Sequence, residues 1–220
     1  MDIDNIIKAR KTQKVLPNQP WPDATGDLQL KATLEELLDL AAHAPYHYPC
    51  HRQYIAEKEL NSCMPFRFYA LDRTKCRATS QYIDEAGIEA GKVKNMLDGA
   101  DALLIVTWLP EPSELNQAGS KKEVSFAGNL TNMEHISAAS AAIQNVLLGA
   151  TARGIPNYWS TGGPLRSQAL RDYLSVPMDE IIAGTVFLFP ESAPESGVKI
   201  LPGGMRQQGK EKNTWATWIS

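Results

Sequence analysis

Lys8, Arg10, Lys11 and Lys14 place four positive charges within seven residues, with no acid among them and Thr12 in the middle. Guanidinium and ammonium groups around a hydroxyl are the donors a phosphate monoester needs, because each makes a charge-assisted bond from its own direction. The same cations also suit the end of a short helix, where the macrodipole favours positive charge. A second basic group, Arg206, Lys210 and Lys212, lies in a glycine- and proline-rich tail, and a solvated surface accounts for it equally well. Thr161-Gly162-Gly163 follows the extended-looking Tyr158-Trp159-Ser160. Paired glycines let a flat ligand lie against the backbone and leave bare N–H groups to donate to ring nitrogens or carbonyl oxygens. An ordinary turn has the same composition.

Other candidate chemistry is weaker. His43, His47 and His51 recur at every fourth position beside Cys50, a spacing that shares one helical face. Pro45 and Pro49 interrupt that face, so the stretch reads as a histidine-bearing loop and no metal site is expected. His135, beside Glu134 at a helix start, reads as a surface residue. There is no GxGxxG, no GxSxG and no HExxH. The segment from Gly87 to Val93 lacks the spacing and the metal-binding hydroxyl of a phosphate loop. No side chain stands out as a catalytic acid, base or nucleophile.

Composition bounds the remaining possibilities. Over 220 residues, 22 Lys plus Arg face 25 Asp plus Glu, for a net charge of −3, and 43% of residues are hydrophobic. That is an ordinary globular balance; it opposes disorder and gives no whole-surface attraction to nucleic acid or membrane. The three cysteines form no CxxC pair, so a disulfide framework is not expected and a reducing, cytoplasmic location follows by default. The longest apolar runs, 102–109 and 181–189, are far shorter than the roughly 18 residues a membrane span needs. No composition break marks a boundary, so residues 1–220 are expected to form one domain.

The candidate residues need elements to position them. Ile3, Ile6 and Ile7 predict a short first helix. Thr33-Leu34-Glu35-Glu36 has the form of a capping box, and the helix behind it should stop near Ala44, before Pro45. Residues 45–63 read as a long loop with at most one helical turn. Strand candidates are 65–71, 102–109, 158–160 and 181–189; helix candidates are 74–99, weakened at Gly87 and Gly91, and 167–174. Residues 110–128 form a polar connection. The strongest helix is 131–153, with Thr131-Asn132-Met133-Glu134 as a second capping box and Gly154 at its end. Its interior is nearly all small or apolar, which predicts burial on most sides. The tail after Pro190 shows no clear element.

Taken in order, these segments resemble the nitroreductase family of FMN-dependent flavoproteins. Arg10-Lys11-Thr12-Gln13-Lys14 is similar to the family's Arg-Arg-Ser-x-Arg, and Ala41-Ala42-His43-Ala44-Pro45 to its Ala-x-x-Ala-Pro-Ser. Pro65-Phe66-Arg67-Phe68 is similar to Pro-Trp-x-Phe, and Gln144-Asn145-Val146-Leu147-Leu148-Gly149-Ala150 to Gln-Asn-x-Leu-Leu-x-Ala. Thr161-Gly162 falls where the family's backbone meets the flavin, and Arg206, nine residues before Trp215, fits its C-terminal phosphate-binding Arg. Departures are Tyr46 for the Ser, Met64 for a Gln before Pro65, a longer 45–64 loop, and Asn95 where a Lys is usual.

The resemblance implies an α+β fold, a mixed sheet of four or five strands surrounded by helices, in an intertwined homodimer. Helix 131–153 would form much of the interface, and the tail 206–220 would wrap the partner. Arg10, Lys11, Thr12, Lys14 and Arg206 would hold the FMN phosphate. Thr161, Gly162 and Gly163 would border the ring, and Pro45 and Tyr46 would approach it from the other subunit. Phe126 and the 45–64 loop would line the mouth. NADH or NADPH would give hydride to the flavin, which would pass it to a nitroaromatic, quinone or similar small acceptor, with no catalytic side chain. Two alternatives remain open: a flavin-binding module with little turnover, or a specialised flavin-cleaving or reductively dehalogenating member.

Overall fold

Strand β3 (Ala102–Trp108) runs through the centre of the molecule, and all seven of its residues are buried. The computed structural model describes residues 2–22, 28–57, 62–112, 126–205 and 215–219. Side chains alternate across a strand, so Ala102, Leu104, Val106 and Trp108 join one core while Leu103 and Ile105 join another. An unbroken apolar run is what a strand covered on both faces requires. Burying one such Leu or Ile is worth about 1.5–3 kcal/mol, so the two cores together fix this strand.

The sheet order is β2 (Phe66–Leu71), β3, β5 (Ile181–Leu188), β4 (Asn157–Ser160). Every pairing is antiparallel: Phe66 faces Trp108, Ala102 faces Leu188, and Asn157 faces Leu188. The α+β sheet within helices is as expected, but among the described residues its pairing is antiparallel rather than mixed. On one face lie α2 (Leu28–Ala42) and α6 (Leu130–Ala152). On the other lie α4 (Arg73–Glu85), α5 (Lys92–Gly99) and α7 (Gln168–Tyr173). α1 (Ile3–Ala9) rests against α6, and α3 (Arg52–Glu57) lies within the 45–63 segment.

Two short strands were not foreseen. β1 (Gln13–Leu16) and β6 (Lys199–Pro202) pair antiparallel, Gln13 with Pro202 and Leu16 with Lys199. Four residues carry too little alternation to announce a strand, and the pairing closes a separation no local signal can report.

Helix boundaries shift for identifiable reasons. α2 begins at Leu28, so Thr33 lies inside the helix and not at its cap. α6 is capped by Asn129, whose side chain accepts from the Asn132 N–H at 2.8 Å, in place of the Thr131 box. The helical stretch 74–99 is two helices, broken between Glu85 and Lys92 where Gly87 and Gly91 take positive φ. His135 is a correction: it is 1% exposed, and its Nδ1 donates to the Leu109 carbonyl at 2.7 Å. Beside it, Asn132 accepts from the Glu111 N–H at 3.0 Å and donates to the Ala127 carbonyl at 2.9 Å, so α6 grips both described ends of the 110–128 connection.

Helices α2 and α6 approach closely at Gly149. A Cβ there would lie 2.6 Å from Leu40 Cδ1 and 2.9 Å from Leu37 Cδ2, and the Asn145 side chain donates to the Leu40 carbonyl nearby at 3.0 Å. Gly149→Ala gains about 1 kcal/mol of helix propensity and loses about 1–3 kcal/mol to overpacking. A net loss of about 1 kcal/mol is expected, and Gly149→Leu should lose several times more. Urea unfolding of both variants checks the order; equal or raised stability in the Leu variant would contradict this contact.

Candidate functional site

The basic segment leaves α1 at Arg10, whose N–H closes the helix on Ile6 O. Lys11 is exposed and Thr12 half-buried. β1 then carries the chain between β6 on one side and β4 on the other. Lys14 Nζ stands 4.8 Å from the centre of the Tyr158 ring, a cation–π contact that fixes the lysine over β4. On the β6 side the chain returns to the same place: a Cβ at Gly203 would lie 2.9 Å from Thr12 Cβ. The chain just before the second basic group is therefore brought beside the first. Arg206 itself, with Lys210 and Lys212, lies outside the described residues.

Three residues after Tyr158, the chain turns at Thr161-Gly162-Gly163. Gly162 has φ +101°, a region L side chains rarely adopt, so only glycine takes this turn without strain. Its N–H is buried and donates to Ser160 Oγ at 3.2 Å. Thr161 and Gly163 are exposed. The 3-10 turn Gly163–Arg166 follows. Arg166 folds back over the glycines: its Nε donates to the Thr161 carbonyl at 2.6 Å, and its Cγ would lie 3.5 Å from a Cβ at Gly162. Burial, and then the charge of Arg171, lower the Arg166 pKa. A partly desolvated guanidinium makes a stronger bond to an anion than a fully solvated one does. Arg166 was missed in the sequence because a lone cation in a turn looks solvated.

Lys14 and Tyr158 thus form one surface on β4, the strand that leads into the 161–163 turn, with Gly203 beside Thr12 and Arg166 folded over the glycines. Pro45 and Tyr46 are not part of it. They are exposed on the loop after α2, and Ala44 packs in the α6 layer while Val15 of β1 packs in the opposite one. The Tyr46 hydroxyl meets Cys63 Sγ at 3.3 Å. Phe126 packs edge-on against Trp108, ring centres 5.0 Å apart. Asn95 donates to the Pro17 carbonyl at 3.1 Å, which braces the segment after β1.

The histidine loop holds no shared face. His43 Nδ1 lies 2.8 Å from the Asp39 carbonyl oxygen and His51 Nδ1 accepts from the Gln53 N–H at 3.2 Å. Among the described residues no three His, Cys, Asp or Glu side chains converge as metal ligands, and no helix is long and apolar enough to cross a membrane. A cleft of about 360 Å³ between the start of α2 and the end of β5, at Leu30, Thr33, Leu188 and Glu191, is lined by none of the candidate residues.

No protein-family model matches the sequence, and no curated protein matches it. Solved structures do. A nitroreductase-like family protein from Bacillus cereus is 19% identical, with a TM-score of 0.54 over 86% of this chain and 85% of the other. A nitroreductase with bound FMN from Bacteroides fragilis is 18% identical, with a TM-score of 0.55 over the whole of both chains. The chain has the nitroreductase fold. A putative NADH dehydrogenase/NAD(P)H nitroreductase from Bacteroides thetaiotaomicron is also similar, with 18% identity and a TM-score of 0.52 over 94% of each chain.

Proposed function

We propose that this chain is an FMN-dependent oxidoreductase of the nitroreductase family, acting as a homodimer that takes reducing equivalents from NADH or NADPH and delivers them to a nitroaromatic, quinone or similar small acceptor. The observation that carries this is the contact of the cationic segment with the strand that leads into the glycine turn: Lys14 lies over Tyr158, three residues before Thr161. One end of that surface suits a phosphate, and the other a flat polar ring edge.

The residues fit the cofactor by the chemistry of their donors. Arg10, Lys11, Thr12 and Lys14, with Arg206, would hold the phosphate. Thr161, Gly162 and Gly163 would border the ring without side chains from the glycines in the way. When bound, FMN supplies the hydride chemistry at its N5 atom. The chain's part is to bind, orient and polarise. Arg166 holds the turn by the Thr161 carbonyl before any ligand arrives. Its charge and that of Lys14 favour negative charge on whatever lies against the turn.

The dimer is supported by apolar surface that a single chain leaves open. Ile3 and Ile7 on α1, and Leu130 and Met133 at the start of α6, are exposed together; Trp218 and Ile219 are 98% and 97% exposed in the tail. Exposed apolar area on this scale marks a surface to be covered. A second subunit would also bring Pro45 and Tyr46 to the site. A single 1–220 domain, a cytoplasmic location, and no nucleic-acid or membrane partner complete this reading.

Purified protein should be yellow, release FMN on denaturation, and bleach under anaerobic NADH or NADPH. A colourless preparation that takes up no added FMN overturns the proposal. FMN uptake without bleaching by either nucleotide would leave a flavin-binding module in its place.

A further inference from the structure

The 45–64 loop, the part of the chain that departs most from the family pattern, holds two cysteines in register. The Cys50 N–H donates to the Cys63 carbonyl at 2.9 Å. This bond brings the two main chains side by side at these residues, the kind of close approach a disulfide needs, with Cα atoms about 4.4–6.8 Å apart. The two thiols also lie near enough for the charge of Cys63 to act on Cys50. Cys50 Sγ lies 4.0 Å from the carbonyl oxygen of Ser62, the neighbour of Cys63. The Tyr46 hydroxyl touches Cys63 Sγ at 3.3 Å and feels the charge of both thiols. Cys63 is exposed and Cys50 buried. Both are free thiols.

We infer that Cys50 and Cys63 form a hydroperoxide-reactive dithiol, in which exposed Cys63 is oxidised first and buried Cys50 resolves it as an intramolecular disulfide. The Cys63 thiolate attacks the terminal oxygen of the hydroperoxide. The O–O bond breaks, the alcohol leaves with a proton, and Cys63 becomes a sulfenic acid. Cys50 then attacks that sulfur; the S–S bond forms, the S–O bond breaks, and water leaves with the Cys50 proton. Two thiols give two electrons, and one hydroperoxide becomes one alcohol and one water.

Arg67 supports the second step. Its Nε and one terminal nitrogen are buried with no hydrogen-bond partner among the described residues. Burial raises the Cys50 pKa, and the Arg67 charge opposes that rise, favouring the thiolate that must attack. Cys76, the third cysteine, takes no part: it is fully buried and directed at the Leu71 carbonyl. The dithiol does not depend on a bound flavin, so it can be tested whether or not the proposed cofactor binds.

The test is peptide mapping after one equivalent of hydrogen peroxide. Trypsin separates the two cysteines into peptides 32–52 and 59–67. A linked pair, lighter by two hydrogens and released by dithiothreitol, is the expected product. Cys63→Ser, an exposed substitution that leaves the core untouched, should abolish the link and leave Cys50 open to alkylation in unfolded protein. Cys50→Ser should let Cys63 proceed to the sulfinic acid. Three results overturn the inference: both cysteines still alkylated after peroxide, Cys63 over-oxidised in the wild type while Cys50 stays free, or a Cys63–Cys63 link between two copies.

Discussion

Glu180→Ala should lower folding stability by about 3–5 kcal/mol, the range for breaking a buried charge network. Glu180 is 1% exposed, just before β5. Its carboxylate accepts from the Tyr69 hydroxyl at 2.9 Å and the Thr107 hydroxyl at 2.5 Å. Its own carbonyl accepts from Arg171 at 2.8 Å, and Arg171 also donates to the Val176 carbonyl at 3.4 Å. The network therefore ties β2, β3, α7 and the start of β5 together. Burial lowers the Arg171 pKa, and the charge of Glu180 is the first influence raising it again. Removing that charge leaves a buried guanidinium poorly compensated.

Magnitudes separate this network from ordinary hydrogen bonding. A hydrogen bond to a charged group contributes about 1.5–3 kcal/mol, and a neutral one about 0.5–1.5. Tyr69→Phe removes one donor and leaves the other, so it should cost only the smaller part of the Glu180→Ala loss. Urea unfolding that shifts the midpoint at constant slope would measure both. A Glu180→Ala protein within about 1 kcal/mol of wild type would mean that water, not the protein, satisfies this carboxylate.

The parts of the fold legible in the sequence were those whose residues state their surroundings locally. β3 and β5 read as buried because both faces are apolar, and α6 because its small and apolar residues wrap the helix. β1 and β6 were illegible because each owes its existence to the other, nearly two hundred residues away. His135 was legible and misread. It precedes Ala138, Ala139 and Ala142 by three, four and seven residues, the spacing of one helical face, and all three are buried. The polar side chain concealed a core position, and the carbonyl of Leu109 is what makes the burial tolerable. At the site, the cations and the glycine pair were visible as types, but the contact of Lys14 with the strand leading to the glycines was not. Lys14 and Tyr158 are joined through β1, an element the sequence does not announce.

Arg10→Ala should weaken FMN binding by about 10- to 100-fold, since one charge-assisted bond to phosphate contributes about 1.5–3 kcal/mol and each 1.4 kcal/mol is tenfold. Lys14→Ala should weaken it as well, and for two reasons: it removes a charge and releases the half-buried Tyr158 ring, a contact worth about 0.5–2 kcal/mol. The double variant should lose less than the sum, because both cations act on one anion. Lys31→Ala is the control. Lys31 is also a lysine, exposed and paired with Glu35 at 3.9 Å on α2, and it should leave FMN binding unchanged. Flavin fluorescence titration at two salt concentrations checks the four variants against the wild type. Wild-type affinity should fall as salt rises, and less steeply once Arg10 is gone, because fewer charges remain to be screened. Circular dichroism matching the wild type would show that the loss belongs to the site. If Arg10→Ala and Lys14→Ala both hold FMN within twofold of wild type, the phosphate lies elsewhere, and the convergence of β1 with β6 serves the fold alone.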